Sequence, residues 1–214
     1  RFFAGVPNIP NKNKAGMEIY LCFFQHLLYS LKDDGKAAIV VPTGFITAKS
    51  GIAYKIRKHL VDGEKPILRG VVSMPSNIFA NTGTNVSVVF IDKSGVDKPV
   101  LIDSSKLGET IKDNGIQKTK LRAEEIDKIV ETFRNKGAVE DFSVTPSFDE
   151  IKEKGYSFSA GQYFDIKIDY VDITEEEFKA RIASFRQTLT EQFAESHRLE
   201  NEIMRQLDSL KFNE

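Results

Sequence analysis

The chain has no tryptophan, one cysteine and three histidines. A single cysteine excludes a disulfide framework within the chain, and Cys22, inside the apolar run Tyr20–Phe24, reads as a small core hydrophobe. That usage favours a reducing compartment, so a cytoplasmic location is expected. His26, His59 and His197 stand far apart with no acid or cysteine at ligand spacing, and no metal site is expected. No apolar run reaches the ~18 residues of a membrane helix, and no signal-peptide pattern is visible. Also missing are the Gly-x-Gly-x-x-Gly fingerprint, the Walker phosphate loop and a Gly-x-Ser-x-Gly elbow. Carboxylates are plentiful but fall at exposed helical positions, so no acid/base pair stands out. An excess of either charge is lacking too: the net charge is −1, which is no general attractor for a polyanion. Local basic clusters remain at Lys12 with Lys14, and at Lys49, Lys55, Arg57, Lys58 and His59, where a solvated helix face is the ordinary explanation.

What is present reads as a soluble chain long enough to bury a core in one domain, or in one domain with an appendage. Residues 1–13 are rich in Pro, Asn and Lys and read as irregular. From Gly16 to Leu31, apolar residues at Ile19, Phe23, Leu27 and at Tyr20, Phe24, Leu28, Leu31 predict a helix, with Gly35 just past its end. Ala37–Val41 is short, apolar throughout and β-branched, as expected of a buried parallel strand; Pro42-Thr43-Gly44 ends it. Ala53–Leu60 reads as a basic amphipathic helix, and Leu68–Met74 and Val86–Ile91 as strands. The order helix, strand, helix, strand, strand predicts part of an α/β sheet closing with a hairpin-like pair. Residues 92–119 are polar and glycine-rich around a weak strand, Val100–Ile102. Leu121–Phe133 reads as a helix and residues 138–170 as loop-rich.

The two strands of that last pair are joined by about a dozen residues, a length that is usually functional in a loop without structure of its own. They include Met74-Pro-Ser-Asn-Ile-Phe79 and Ala80-Asn-Thr-Gly-Thr-Asn85. A lone aromatic where a strand of an α/β sheet ends lies where such folds bind ligands. There Phe79 is a candidate for stacking on a planar group such as a nucleobase, and a core plug under the loop is the plainer alternative.

The final forty or so residues differ in kind. Thr174-Glu-Glu-Glu177 has a capping threonine and acids in the first turn, a strong helix start. Apolar residues then recur at Phe178, Ile182, Phe185, Leu189 and Phe193, and again at Leu199, Ile203, Leu207 and Leu210, with an interruption near Ser196 and His197. Neither Gly nor Pro breaks the run. Such a helix is on the order of 50 Å long and needs a partner helix along its seam.

Several stretches resemble one family. Gly16-Met-Glu-Ile-Tyr-Leu-Cys-Phe-Phe-Gln-His-Leu-Leu28, Leu31-Lys-Asp-Asp-Gly-Lys-Ala-Ala-Ile-Val-Val-Pro-Thr-Gly44 and above all Arg69-Gly-Val-Val-Ser-Met-Pro-Ser-Asn-Ile-Phe-Ala-Asn-Thr-Gly-Thr-Asn85 resemble the modification (M) subunit of type I restriction–modification systems. Tyr156-Ser-Phe-Ser-Ala-Gly-Gln-Tyr163 is similar to a downstream Tyr-Ser-Leu-Ser-x-x-x-Tyr pattern, with Phe158 in place of leucine. The resemblance implies transfer of a methyl group from S-adenosylmethionine to the N6 of a flipped-out adenine in DNA. It assigns Phe79 to stacking on that adenine. Pro42 and Thr43, at a strand end beside the expected site, are further candidates for lining the pocket, and Asn77, Asn81 and Thr82 for contacts with the target strand's backbone, though turn chemistry explains these last equally well. The family's acidic, glycine-rich cofactor motif and its Asn-Pro-Pro-Phe/Tyr motif are absent from these residues.

The expected fold is therefore α/β: the last strands of a Rossmann-like methyltransferase sheet, a loop-rich segment, and a long C-terminal helix. Residues 1–94 are assigned to the second half of a catalytic domain, 95–172 to an extension with one helix, and 173–214 to a helix for subunit docking. The resemblance implies DNA, a specificity subunit, a second M subunit and a restriction subunit as partners. Without the two missing motifs the chain alone is expected to be inactive, and with a bare edge at Ala37–Val41 to pair with itself. The competing reading is a non-catalytic assembly module, a degenerate α/β domain displaying a coiled-coil helix.

Overall fold

The computed structural model describes residues 1–8, 17–79, 84–113, 115–165 and 173–209. Along the chain come helix α1 (Tyr20–Ser30), strand β1 (Lys36–Pro42), the helical turn α2 (Gly44–Thr47), helix α3 (Gly51–Val61), β2 (Leu68–Ser73) and β3 (Val86–Asp92). They are followed by β4 (Val100–Asp103), β5 (Glu109–Asp113), β6 (Ile116–Lys120), α4 (Ala123–Asn135), β7 (Ser143–Val144), α5 (Phe148–Glu153), a 3₁₀ turn (Ala160–Gln162) and α6 (Glu175–Ser209). Residues 1–165 form one compact unit and 166–214 another.

One five-stranded sheet, in the order β1-β3-β2-β4-β7, organises the first unit. The hairpin-like pair read from the sequence is present as β2 and β3, antiparallel, with Val71 opposite Val89 and Ser73 opposite Ser87. β4 lies parallel to β2, so the sheet continues past residue 95, where the sequence reading placed a boundary. β1 departs from expectation. It lies at the edge of the sheet, as expected, but its described pairing, to β3 alone, is antiparallel, so it is not a strand buried in a parallel sheet. Val41 is buried, whereas Ala38 and Val40 on the other face are exposed. A run that is apolar at every position hides that alternation, which is why the sequence read as buried on both faces.

Each face of the sheet carries its own core. Leu21, Phe24 and Leu28 of α1, with Phe45, Ile56 and Leu60, pack in one cluster with Val41, Val71, Val89 and Leu101. Of the two apolar rows read for α1, the one through Phe24 and Leu28 is buried, while Ile19 and Phe23 are exposed. On the other face Ile129 and Phe133 of α4 pack with Val72, Val100 and Ile102. Strand and helix approach closely there: a Cβ at Gly70 would come within 2.4 Å of the Val100 carbonyl oxygen and 2.8 Å of the Phe133 ring. Only glycine fits.

Loop-rich sequence holds more structure than its composition implied. The β5–β6 hairpin leaves no period-2 hydrophobic signal in the sequence, because each strand holds a single isoleucine among polar residues. α5 rests on a reciprocal cap in which the Glu150 amide donates to Ser147 Oγ (3.2 Å) and the Ser147 amide to Glu150 Oε2 (2.6 Å). In the second unit α6 begins as read, with the Glu177 amide donating to Thr174 Oγ1 at 3.2 Å. None of its described residues is buried.

Asp92 anchors the last turn of β3. Its carboxylate, 6% exposed, accepts from the Ser94 amide (3.1 Å) and hydroxyl and pairs with Lys36 (3.3 Å). The Ser94 hydroxyl, then the Ser94 amide and Lys36, hold its pKa below the usual 3.8 against the opposing effect of burial. A depressed carboxylate pKa stabilises the fold above the unfolded-state value, and that contribution is lost as pH falls through the folded-state value. Asp92→Asn is expected to cost about 1–3 kcal/mol at pH 7. In urea unfolding, the gap between variant and wild type should close as the pH is lowered below about 4.

Candidate active site

Because β3 runs against both neighbours, β1, β2 and β4 share one direction, and their carboxyl ends lie along one rim of the sheet. That rim is where open α/β sheets place ligands. Pro42 and Thr43 end β1, and both are half-buried. The Thr43 amide donates to the Asn85 carbonyl at 2.8 Å, so the return of the loop into β3 is tied to the end of β1. A row of hydroxyls crosses the rim: Thr43 Oγ1 lies 3.3 Å from Ser87 Oγ, which donates to Ser73 Oγ at 3.4 Å. Ser104 Oγ closes the row on the Ser73 carbonyl at 2.5 Å. Ser73 and Ser87 were missed by the sequence reading. The available signal was their placement inside β-branched runs, where a serine on the inward alternation requires a polar partner.

The loop between β2 and β3 leaves this rim. Pro75 is buried and Asn77 half-buried, whereas the Phe79 ring is 46% exposed and is therefore no core plug. Asn77 adopts φ +55°, a left-handed conformation that Asn tolerates better than most residues. Its carbonyl accepts from the Thr119 amide of β6 at 2.9 Å. Thus the structure ties Thr43, Ser73, Asn85 and Ser87 together at the two roots of the loop that carries Asn77 and Phe79. Asn81, Thr82 and Leu210, with the Lys12–Lys14 cluster, lie outside the described residues. On the far side of Thr43, Pro7, Glu18, Tyr20, Gly44, Ser50 and Ile52 border an open cleft of about 560 Å³. Burial, with Glu18 beside it, raises the Tyr20 hydroxyl to about 12, so it stays a neutral donor. Among the described residues no group of His, Cys, Asp or Glu is arranged to hold a metal.

Arg57 is the largest correction to the sequence reading. It was grouped with Lys49, Lys55, Lys58 and His59 as a solvated basic face; those four are exposed, but Arg57 is fully buried. Its guanidinium donates to the carbonyls of Ile46 (2.7 Å), Ala48 and Tyr156, and it lies over the rings of Phe158 (5.6 Å) and Tyr54 (5.9 Å). Among the described residues no carboxylate pairs with it; backbone dipoles and ring faces do. Burial lowers its pKa from 12.5 to about 10, which leaves it charged at neutral pH. Through it, the segment after Thr43 is joined to Tyr156–Phe158, more than a hundred positions later, and the Phe158 amide adds a bond to the Ile46 carbonyl at 3.0 Å. Phe158, the residue that departs from the usual leucine, is buried beneath this joint.

The family model for N-6 DNA methylase matches residues 1–169. The chain is 31% identical over 143 residues to the type I restriction enzyme MpnII methylase subunit of Mycoplasma pneumoniae, an alignment covering 67% of this chain and 25% of that protein. It is 26% identical over 225 residues to the HindI methylase subunit of Haemophilus influenzae, covering 99% of this chain and 46% of the other. Among solved structures, the type I restriction–modification methyltransferase subunit from Streptococcus thermophilus superimposes with a TM-score of 0.61 at 28% identity, over 70% of this chain and 31% of that one. The chain thus spans less than half the length of the curated relatives it matches, 25% and 46% of these two.

Replacing Arg57 would take its donors from the Ala48 and Tyr156 carbonyls and leave Ile46 with the Phe158 amide alone. Arg57→Met is expected to lower the unfolding free energy by about 2–5 kcal/mol. Arg57→Lys should fall in between, since one ammonium cannot span all of those carbonyls. Guanidinium denaturation of both variants checks the order.

Proposed function

The chain belongs to the N-6 DNA methylase family, and from that premise we propose that it is part of the DNA-methylating subunit of a type I restriction–modification complex. In this reading the rim of β1, β2 and β4 receives an adenine turned out of the duplex, and Phe79 stacks on its face. The observation that carries the reading is the half-exposed Phe79 ring at the carboxyl end of the sheet. Flipping a base costs a few kcal/mol, and stacking on an aromatic contributes ~1–3 kcal/mol per base, enough to offset much of that loss. Pro42 and Thr43 line the pocket from the neighbouring strand, and Asn77, with Asn81 and Thr82, meets the backbone of the target strand.

S-adenosylmethionine is the donor such chemistry uses, supplying an electrophilic methyl group. The residues on this rim do not fit it. They offer hydroxyls and an aromatic ring, and the acid that ends β4, Asp103, is engaged with the Ser105 amide at 3.0 Å. We assign the donor to residues outside this chain and the adenine to residues within it. In a transfer assay with labelled methyl donor, the chain alone is expected to be inactive. In the full-length subunit assembled with its partners, Phe79→Ala should lower methylation roughly 10- to 100-fold, the rate equivalent of the lost stacking. Unchanged methylation by that variant, with assembly intact, would overturn the stacking role.

The second unit suits assembly. Over its 35 residues α6 leaves Phe178 (54%), Phe185 (64%), Phe193 (63%) and Ile203 (57%) exposed, together with Ile182, Leu189, Leu199 and Leu207. An apolar seam of that length, rimmed by charge, calls for a helical partner. We read that partner as a specificity subunit or a second methylating subunit, with self-pairing of the isolated chain as the stand-in when neither is present. Ile182→Asp with Leu199→Asp should abolish co-elution with partner subunits while leaving the unfolding of the first unit unchanged. Co-elution that survives both substitutions would remove α6 from the interface.

A further inference from the structure

The β5–β6 hairpin has features that neither the stacking site nor the docking helix explains. Residues 106–122 carry Lys106, Lys112, Lys118, Lys120 and Arg122 against Glu109 and Asp113, a local excess of positive charge in a chain whose net charge is −1. Among the described residues β5 and β6 pair only with each other. Glu109, Thr110, Ile111, Lys112, Gln117 and Lys120 are exposed, and among the residues whose burial is described Thr119 is buried. A two-stranded hairpin with so little core is marginal on its own. This one is held at its root, where the Gly108 amide donates to Glu125 Oε1 at 3.1 Å, and along one edge, where the Thr119 amide donates to the Asn77 carbonyl at 2.9 Å. That edge contact falls two residues before Phe79.

Register fixes how the charges are distributed. Lys120 stands opposite Glu109, and Lys112 opposite Gln117. Glu109 and Lys112 are three apart on one strand, so their side chains leave by opposite faces. Lys112 and Lys120 therefore supply a cation to each face of the ribbon, and exposed Lys106 adds a third at its root. A two-stranded ribbon fits the ~12 Å major groove of duplex DNA, whose walls are phosphates. We propose that this hairpin is a DNA-backbone contact, lying against phosphates that flank the target base, with Lys106, Lys112 and Lys120 as its cations. The proposal rests on the reading of the Phe79 loop as the adenine-stacking element, because the hairpin is attached to that loop. Phosphate contacts position the duplex and carry no base preference of their own.

The test uses the full-length subunit assembled with its partners and a duplex bearing 2-aminopurine at the target adenine. Lys106→Ala, Lys112→Ala and Lys120→Ala are combined, and affinity is measured by fluorescence anisotropy across a salt series. Each lost phosphate contact lowers the slope of log affinity on log salt by about 0.9, so the triple variant is expected to lose about 2–3 from that slope. Binding at low salt should weaken tenfold or more, while the 2-aminopurine signal at saturating DNA stays as in wild type. An unchanged slope and affinity, with an unchanged melting temperature, overturn the proposal. Phe79→Ala in parallel separates the two readings: it should abolish the base-flipping signal and keep the wild-type salt slope. Should Phe79→Ala keep the signal while the lysine variant loses its slope, the stacking role falls and the hairpin contact stands.

Discussion

The reversal of β3 between β1 and β2 is the constraint on which the rest of the first unit depends. A strand running against both neighbours forces those neighbours to end on the same rim, and forces the loop entering it to start from that rim. The Phe79 loop therefore has no freedom to emerge elsewhere. Its roots are set by ladder hydrogen bonds, by the Thr43–Asn85 bond and by the hydroxyl row through Ser87. Placement of one aromatic ring is thus a consequence of sheet topology, and the local sequence has only to keep the ring out of the core.

Beneath that rim the fold spends stability on a buried charge. Arg57 has carbonyls and aromatic rings but no carboxylate, and its Nε has no partner among the described residues. An apolar side chain would fill the space at lower desolvation cost. What an apolar residue cannot do is gather carbonyls from Ile46, Ala48 and Tyr156, segments far apart in sequence that share no regular secondary structure. The guanidinium fork replaces the ladder that irregular backbone cannot form, and it fixes the segment leaving Thr43 to the Tyr156–Phe158 turn.

Much of this was legible beforehand, and the failures have physical causes. The β2–β3 pair, the weak strand at Val100 and the cap at Thr174 each carry strong local chemistry: β-branched runs, a proline stop, a threonine followed by acids. β1 was misplaced because an all-apolar pentad is silent about which face meets solvent. The β5–β6 hairpin was invisible because strand pairing without burial leaves no hydrophobic period. Arg57 was misread because its neighbours Lys55 and Lys58 do lie on a solvated face, and one helical step turns the side chain between them into the core. At the rim, Phe79 stands out in the sequence as a bulky residue in a small, polar loop, and the structure leaves it exposed. Ser73 and Ser87 do not stand out, since a hydroxyl's partner across a sheet depends on register, which a single sequence does not display.

The bare length of α6 has a consequence for how any complex would form. Its local support comes from exposed pairs such as Arg198 with Glu195 and Glu202 and Lys179 with Glu175, which solvent screens and which contribute little. Most helices draw their stability from a packed apolar face more than from local pairs, so if α6 docks on a second helix its seam would gain order on contact. Recognition and coiling are then one event, which taxes the affinity and leaves the encounter reversible. Subunit exchange in such a complex would be governed by how readily this rod frays.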